Sequence, residues 1–78
     1  MIFLIEYDRR QGRLVSLTLF DENQRRNAEQ ARLDVELRLN KLKIEREVVL
    51  LEAASEDALR QTHRRYFETL SELSQPQT

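Results

Sequence analysis

The stretch Ile2-Phe3-Leu4-Ile5-Glu6-Tyr7 constrains the fold of this chain more than any other segment. It is β-branched and aromatic, and it reads as a strand that is apolar on both faces. Such a strand belongs in the centre of a sheet, since on an edge it would template aggregation. Asp8-Arg9-Arg10-Gln11-Gly12 follows. Asp opens turns through its side chain, and Gly12 supplies the positive φ that a bulged hairpin needs. From Arg13 to Phe20 the chain alternates, with Val15, Leu17 and Leu19 on one face and Ser16 and Thr18 on the other. The two runs predict a β-hairpin.

Asp21 is a good N-cap, and Gln24 completes a capping-box pattern. Helix formers then continue to about Lys43 without Gly or Pro, and Ala28, Ala31, Val35, Leu39 and Leu42 make one apolar stripe. Leu33 to Leu39 also alternates with period two, as a strand would. No turn signal separates it from the residues before it, and Leu, Glu and Arg favour helix, so one long helix is expected. On that helix Leu33 and Leu37 point roughly 160° away from Val35, at about 100° per residue, as a second small stripe.

Val48-Val49-Leu50-Leu51 predicts another strand buried on both faces. Ser55 followed by Glu56 and Asp57 reads as an N-cap with acids that complement the helix dipole. The closing helix is expected to run to about Leu73, with Leu59, Tyr66, Leu70 and Leu73 on one face and Phe67 beside them. Residues 74–78 form a polar tail expected to be disordered, which leaves residues 1–73 as a single α+β domain.

The order is ββαβα. A right-handed crossover through the long helix returns the third strand parallel to the second. With the first strand in the centre, the three-stranded sheet has order 2-1-3, and both helices are expected on one face. That strand order resembles part of a ferredoxin-like sheet, and the resemblance extends to strand order alone, which carries no function.

A chain of 78 residues buries a modest core and gains stability from cross-links, metals or self-association. There is no cysteine and His63 is the single histidine, so disulfides and a closed zinc site within one chain are not expected. No cofactor is expected either. Self-association remains. Helices on one face would leave apolar side chains bare on the other, and an uncovered patch of that kind marks an interface. A homodimer is therefore expected, with Ile2, Leu4, Val49 and Leu51 of the sheet and Leu33 and Leu37 of the helix as its interface. An unidentified protein partner could use the remaining surface.

Basic and acidic residues nearly balance, 13 against 14, so no global field draws nucleic acid. The longest apolar stretch near the start is far too short for a signal-peptide core or a membrane span, and a cytoplasmic protein is expected. His63-Arg64-Arg65-Tyr66-Phe67 is the densest basic-aromatic cluster. Arg60, His63, Arg64 and Arg65 are the candidate contacts for phosphate. Against this, Arg60 follows Glu56 by four and Arg64 precedes Glu68 by four, spacings at which a solvated helix pairs its own charges. Arg9, Arg10 and Arg13 surround the hairpin tip, whereas Arg25 and Arg26 start the long helix at the opposite end of the sheet. His63 has no nucleophile or paired acid in a recognisable motif, and a boundary histidine with one wet nitrogen is the preferred reading. The carboxylate pairs Glu45/Glu47 and Asp34/Glu36 lack a Gly-rich loop. No P-loop, dinucleotide fingerprint, HExxH, EF-hand loop or nucleophile elbow occurs. The expectation is a small non-enzymatic self-associating interaction module. The alternative is a nucleic-acid-binding protein using the arginines of the closing helix and hairpin tip.

Overall fold

A computed structural model describes residues 1–68. Strands β1 (Ile2–Asp8) and β2 (Arg13–Phe20) form the hairpin, helix α1 (Arg25–Leu42) crosses back, and β3 (Glu47–Glu52) and helix α2 (Glu56–Thr62) complete the order ββαβα. The sheet is antiparallel with order β2-β1-β3, and the fold class is α+β. The most apolar strand is central, and every residue of β1 is buried.

The turn is built as its residues dictate. Asp8 Oδ1 accepts the backbone N–H groups of Arg10 and Gln11 at 3.0 and 3.1 Å, an Asx turn, and Gly12 sits at φ 62°. The hairpin is bulged between Glu6–Ser16 and Tyr7–Leu14. Val15 is the extra residue and Leu14 takes the place opposite Tyr7, so the face expected to hold Val15, Leu17 and Leu19 is held by Leu14, Leu17 and Leu19.

The segment 33–39 is helical, within the one long helix α1. Its stripe narrows to buried Ala28 and Leu39 with half-buried Ala31 and Val35, while Leu42 is exposed. Before it, a 3₁₀ turn at Glu22–Gln24 carries the Gln24 side chain back to the Asp21 N–H at 3.1 Å. At its other end Lys43 adopts the left-handed conformation, φ 57°, and donates to Asn40 O while Ile44 N–H donates to Leu39 O. This is a Schellman cap made without glycine.

The helices do not share a face. Phe3, Ile5 and Tyr7 pack with Leu59 and Tyr66, and half-buried Leu14, Leu17, Val49, Leu51 and Ala53 surround them. That is the α2 side of the sheet. Ile2, Leu4 and Glu6 point the other way by strand alternation, under α1, whose Arg38 and Arg25 reach Glu6 and Glu52. The reason lies in β1. Both of its faces are apolar, each needs a covering layer, and the short turn after β3 sends α2 to the face that α1 leaves bare. The ferredoxin-like comparison therefore stops at strand order.

Helix α2 begins as expected, with Ser55 Oγ accepting the Ala58 N–H at 3.1 Å. It ends at Thr62, earlier than expected. The Thr62 hydroxyl donates to Ala58 O, and His63 leaves helical geometry at φ −127° before a 3₁₀ turn at Arg64–Tyr66. Thr and His have lower propensity to carry the helix on than the residues before them, and the break swings Tyr66 over Tyr7, with ring centroids 5.2 Å apart. Leu70, Leu73 and the expected tail at 74–78 lie outside the described residues.

Candidate functional site

Two charge networks form where β1 ends, α1 ends and β3 begins, one on each face of the sheet. On the α1 face Glu6, 5% exposed in the middle of an apolar strand, holds Arg46 at 2.6 Å and Arg38 at 3.3 Å. Arg46 also lies 3.8 Å from Asp8. A buried carboxylate requires such partners. On the α2 face Glu47 receives the Tyr66 hydroxyl, Arg65 at 2.5 Å and, more distantly, Arg9 at 3.5 Å.

The titration of the second network follows from these contacts. Burial and the hydrogen bond to the Glu47 carboxylate push the Tyr66 phenol up to about 12. Burial of Glu47 opposes its ionisation, but hydrogen bonds from Tyr66 and Arg65 and the charges of Arg65 and Arg9 outweigh it, so the carboxyl titrates below its ordinary range. The Glu47 carboxylate also holds the Arg65 proton more firmly than usual.

Between the networks an open groove of about 550 Å³ is lined in part by Arg9, Arg10, Arg46, Glu36, Glu45 and Glu47. Its signs cancel. Arg46 and Glu47 are engaged in the networks just described, so the groove offers no converging set of like donors for an anion or a cation. Among the described residues no group of three or more His, Asp or Glu side chains could hold a metal ion.

The expected anion contacts are dispersed. Arg60 pairs with Glu56 at 3.2 Å and Arg64 with Glu68 at 3.0 Å, the two helical spacings read in the sequence. Arg65 is bound to Glu47 and stacks on Tyr66, 4.2 Å from its ring centroid. His63 is half-buried, stacked on Tyr66, with Nδ1 2.9 Å from the Thr62 hydroxyl. Arg25 lies against Glu52 at the end of the sheet opposite the hairpin tip, as expected.

The expected dimer surface needs a larger correction. Ile2 and Leu4 are 0% and 5% exposed, because α1 covers them, and they cannot face a partner. Val49 and Leu51 are half-buried against the α2-side core. Leu33 and Leu37 are exposed at 46% and 59%, pointing away from the sheet as expected. Sequence reasoning missed Glu6, Arg38 and Arg46. The one available signal was a lone acid inside an apolar strand, which calls for cationic partners from elsewhere in the chain.

None of the described helices is long and apolar enough to cross a membrane. Comparisons with protein-family models, curated proteins and solved structures find no match.

Proposed function

We propose that this protein is a small, non-enzymatic interaction module that self-associates, with a cytoplasmic setting as part of the reading. The observation that carries it is the free edge of β3. Its run Val48-Val49-Leu50-Leu51 is only half-buried, and among the described residues β3 has a strand on one side alone. An apolar edge of this kind pairs readily with another chain. This replaces the bare sheet face as the reason for self-association, since both faces carry a helix. A nucleic-acid role finds less support, because Arg60, Arg64 and Arg65 each already hold a carboxylate. Light scattering across a dilution series tests the proposal. The expected result is a dimer mass that persists at micromolar concentration. A monomer mass at every concentration overturns it.

A further inference from the structure

The sheet's own register fixes which backbone groups β3 leaves open. Met1 and Ala53 face each other with both bonds made: Ala53 N–H donates to Met1 O at 3.1 Å, and the Met1 ammonium donates to Ala53 O at 3.0 Å. In an antiparallel ladder such bonded pairs alternate with unbonded ones. Phe3–Leu51, Ile5–Val49 and Tyr7–Glu47 therefore continue the bonded series. The N–H and C=O groups of Val48, Leu50 and Glu52 are directed outward, along the free edge. No bulge interrupts β3, whereas the other free edge, β2, carries the Val15 bulge, a feature that blunts edge pairing.

We infer that β3 pairs antiparallel with β3 of a second copy about a two-fold axis normal to the sheet and centred on Val49. The result is a continuous sheet of order β2-β1-β3-β3-β1-β2. The inference rests on the self-association proposed above and names its surface. An axis normal to the sheet keeps each face on its own side, so opposed residues share parity. Centring on Val49 sets Val48 opposite the partner's Leu50, both with outward backbone groups, and Arg46 opposite the partner's Glu52. Centring on Leu50 instead sets Val48 against the partner's Glu52. On the α1 face the first register matches apolar with apolar and base with acid, while on the α2 face it sets Glu47 opposite the partner's Leu51.

The helices support the same arrangement. α1 lies over β1 and β3 more than over β2. With strands about 4.8 Å apart, two such helices come to lie side by side about 10 Å apart, an ordinary packing distance. The side of α1 turned toward β3 carries Arg25, bound to Glu52, and Glu36, which lines the groove beside Val48. Glu29 and Arg32 fall on the same stripe by helical spacing. Its signs alternate, Arg25-Glu29-Arg32-Glu36, so an antiparallel copy can oppose each arginine with a glutamate.

Cysteine scanning of the full chain tests this directly, because the sequence contains no cysteine. Val49→Cys places two thiols in an unbonded pair on the axis with Cα atoms about 4.5 Å apart, within disulfide reach. Val48→Cys and Leu50→Cys leave each residue about 8 Å from its counterpart, from strand spacing and rise, which is beyond that reach. Mild oxidation is expected to cross-link Val49→Cys to a dimer on a non-reducing gel and to leave the other two uncross-linked. Cross-linking at Leu50 in place of Val49 overturns the register. Failure of Val49→Cys to cross-link when its reduced form scatters as a dimer overturns edge pairing and leaves self-association standing. A monomeric parent chain overturns both. Val48→Pro removes an outward N–H and spares the β1 ladder. It is expected to be a folded monomer by circular dichroism and light scattering, and a folded dimer overturns the inference even if the cysteine variants fold poorly.

Discussion

Glu47 is the residue on which the α2 side of the molecule turns. It is the first residue of β3, and through Tyr66 and Arg65 it ties the chain after α2 back to the sheet. Replacing Tyr66 by Phe removes one hydrogen bond to a carboxylate, a loss of about 1–2 kcal/mol, read as a lower urea midpoint. The pH dependence has a definite sign. The folded protein holds the Tyr66 proton more tightly than the unfolded chain, with a value of about 12 against 10.0. That stabilisation is complete below pH 10 and fades as pH rises toward 12. Glu47 behaves oppositely: its contribution is present above its ordinary value of 4.5 and is lost as pH falls through the lowered folded value. The melting-temperature gap between the parent and Tyr66→Phe should therefore narrow at the alkaline end. A gap that widened there would refute the assignment. On the other face, Arg46 is 21% exposed and Arg38 59%. Arg46→Ala leaves Glu6 with its weaker partner and should cost about 2 kcal/mol, while Arg38→Ala should cost less than about 1 kcal/mol. Equal losses in denaturant titration would show that Glu6 does not distinguish the two.

Among the elements, α1 and α2 end by different means. α1 is stopped by Lys43 in a conformation that costs a residue with a Cβ roughly 1 kcal/mol. Lys43→Gly keeps the cap's backbone bonds and relieves that cost, so it should raise stability by about 1 kcal/mol in urea. A loss of that size would mean that the lysine side chain matters more than its backbone. α2 stops because the Thr62 hydroxyl turns back onto its own helix and the following residues have somewhere better to go. Their destination is the Tyr7 ring and the Glu47 carboxylate, both far away in sequence. Helix periodicity alone saw Leu59 and Tyr66 on one face, and both are in the core, yet they arrive there on either side of a break.

For the molecule as a whole, the central strand determines the layering. β1 is buried along its entire length, with one helix on each side, so a charge introduced there without a partner such as Glu6 has in Arg46 has no exit to water. Ile5→Asp should abolish the cooperative thermal transition, whereas Leu37→Glu, on the outer side of α1, should shift stability by less than about 0.5 kcal/mol. A cooperative melt of Ile5→Asp near the parent temperature would contradict burial on the α2 side. With both faces covered, the proposed self-association moves from the faces to the edge. The free edge of β3 and the alternating charges of α1 are then the surfaces on which a second copy has the most to gain.

Local rules were enough to find the elements and their order, but not the end of α2 or the bulge in β2. Asp8 and Gly12 made the hairpin turn, Ser55 started α2, and an uninterrupted run of helix formers carried α1 through a segment that also alternates like a strand. The apolar character of β1 placed it in the centre, and with one right-handed crossover that gave the order 2-1-3. Glu56–Arg60 and Arg64–Glu68 were legible because they are neighbours on the chain. The side of the sheet that α2 covers was not. It is chosen by a short turn whose two exits look alike locally, and only the need to cover Phe3, Ile5 and Tyr7 selects between them. For the same reason the partners of Glu6 and Glu47 emerged only in three dimensions: they come from residues up to forty positions away, brought together by packing that no local pattern encodes.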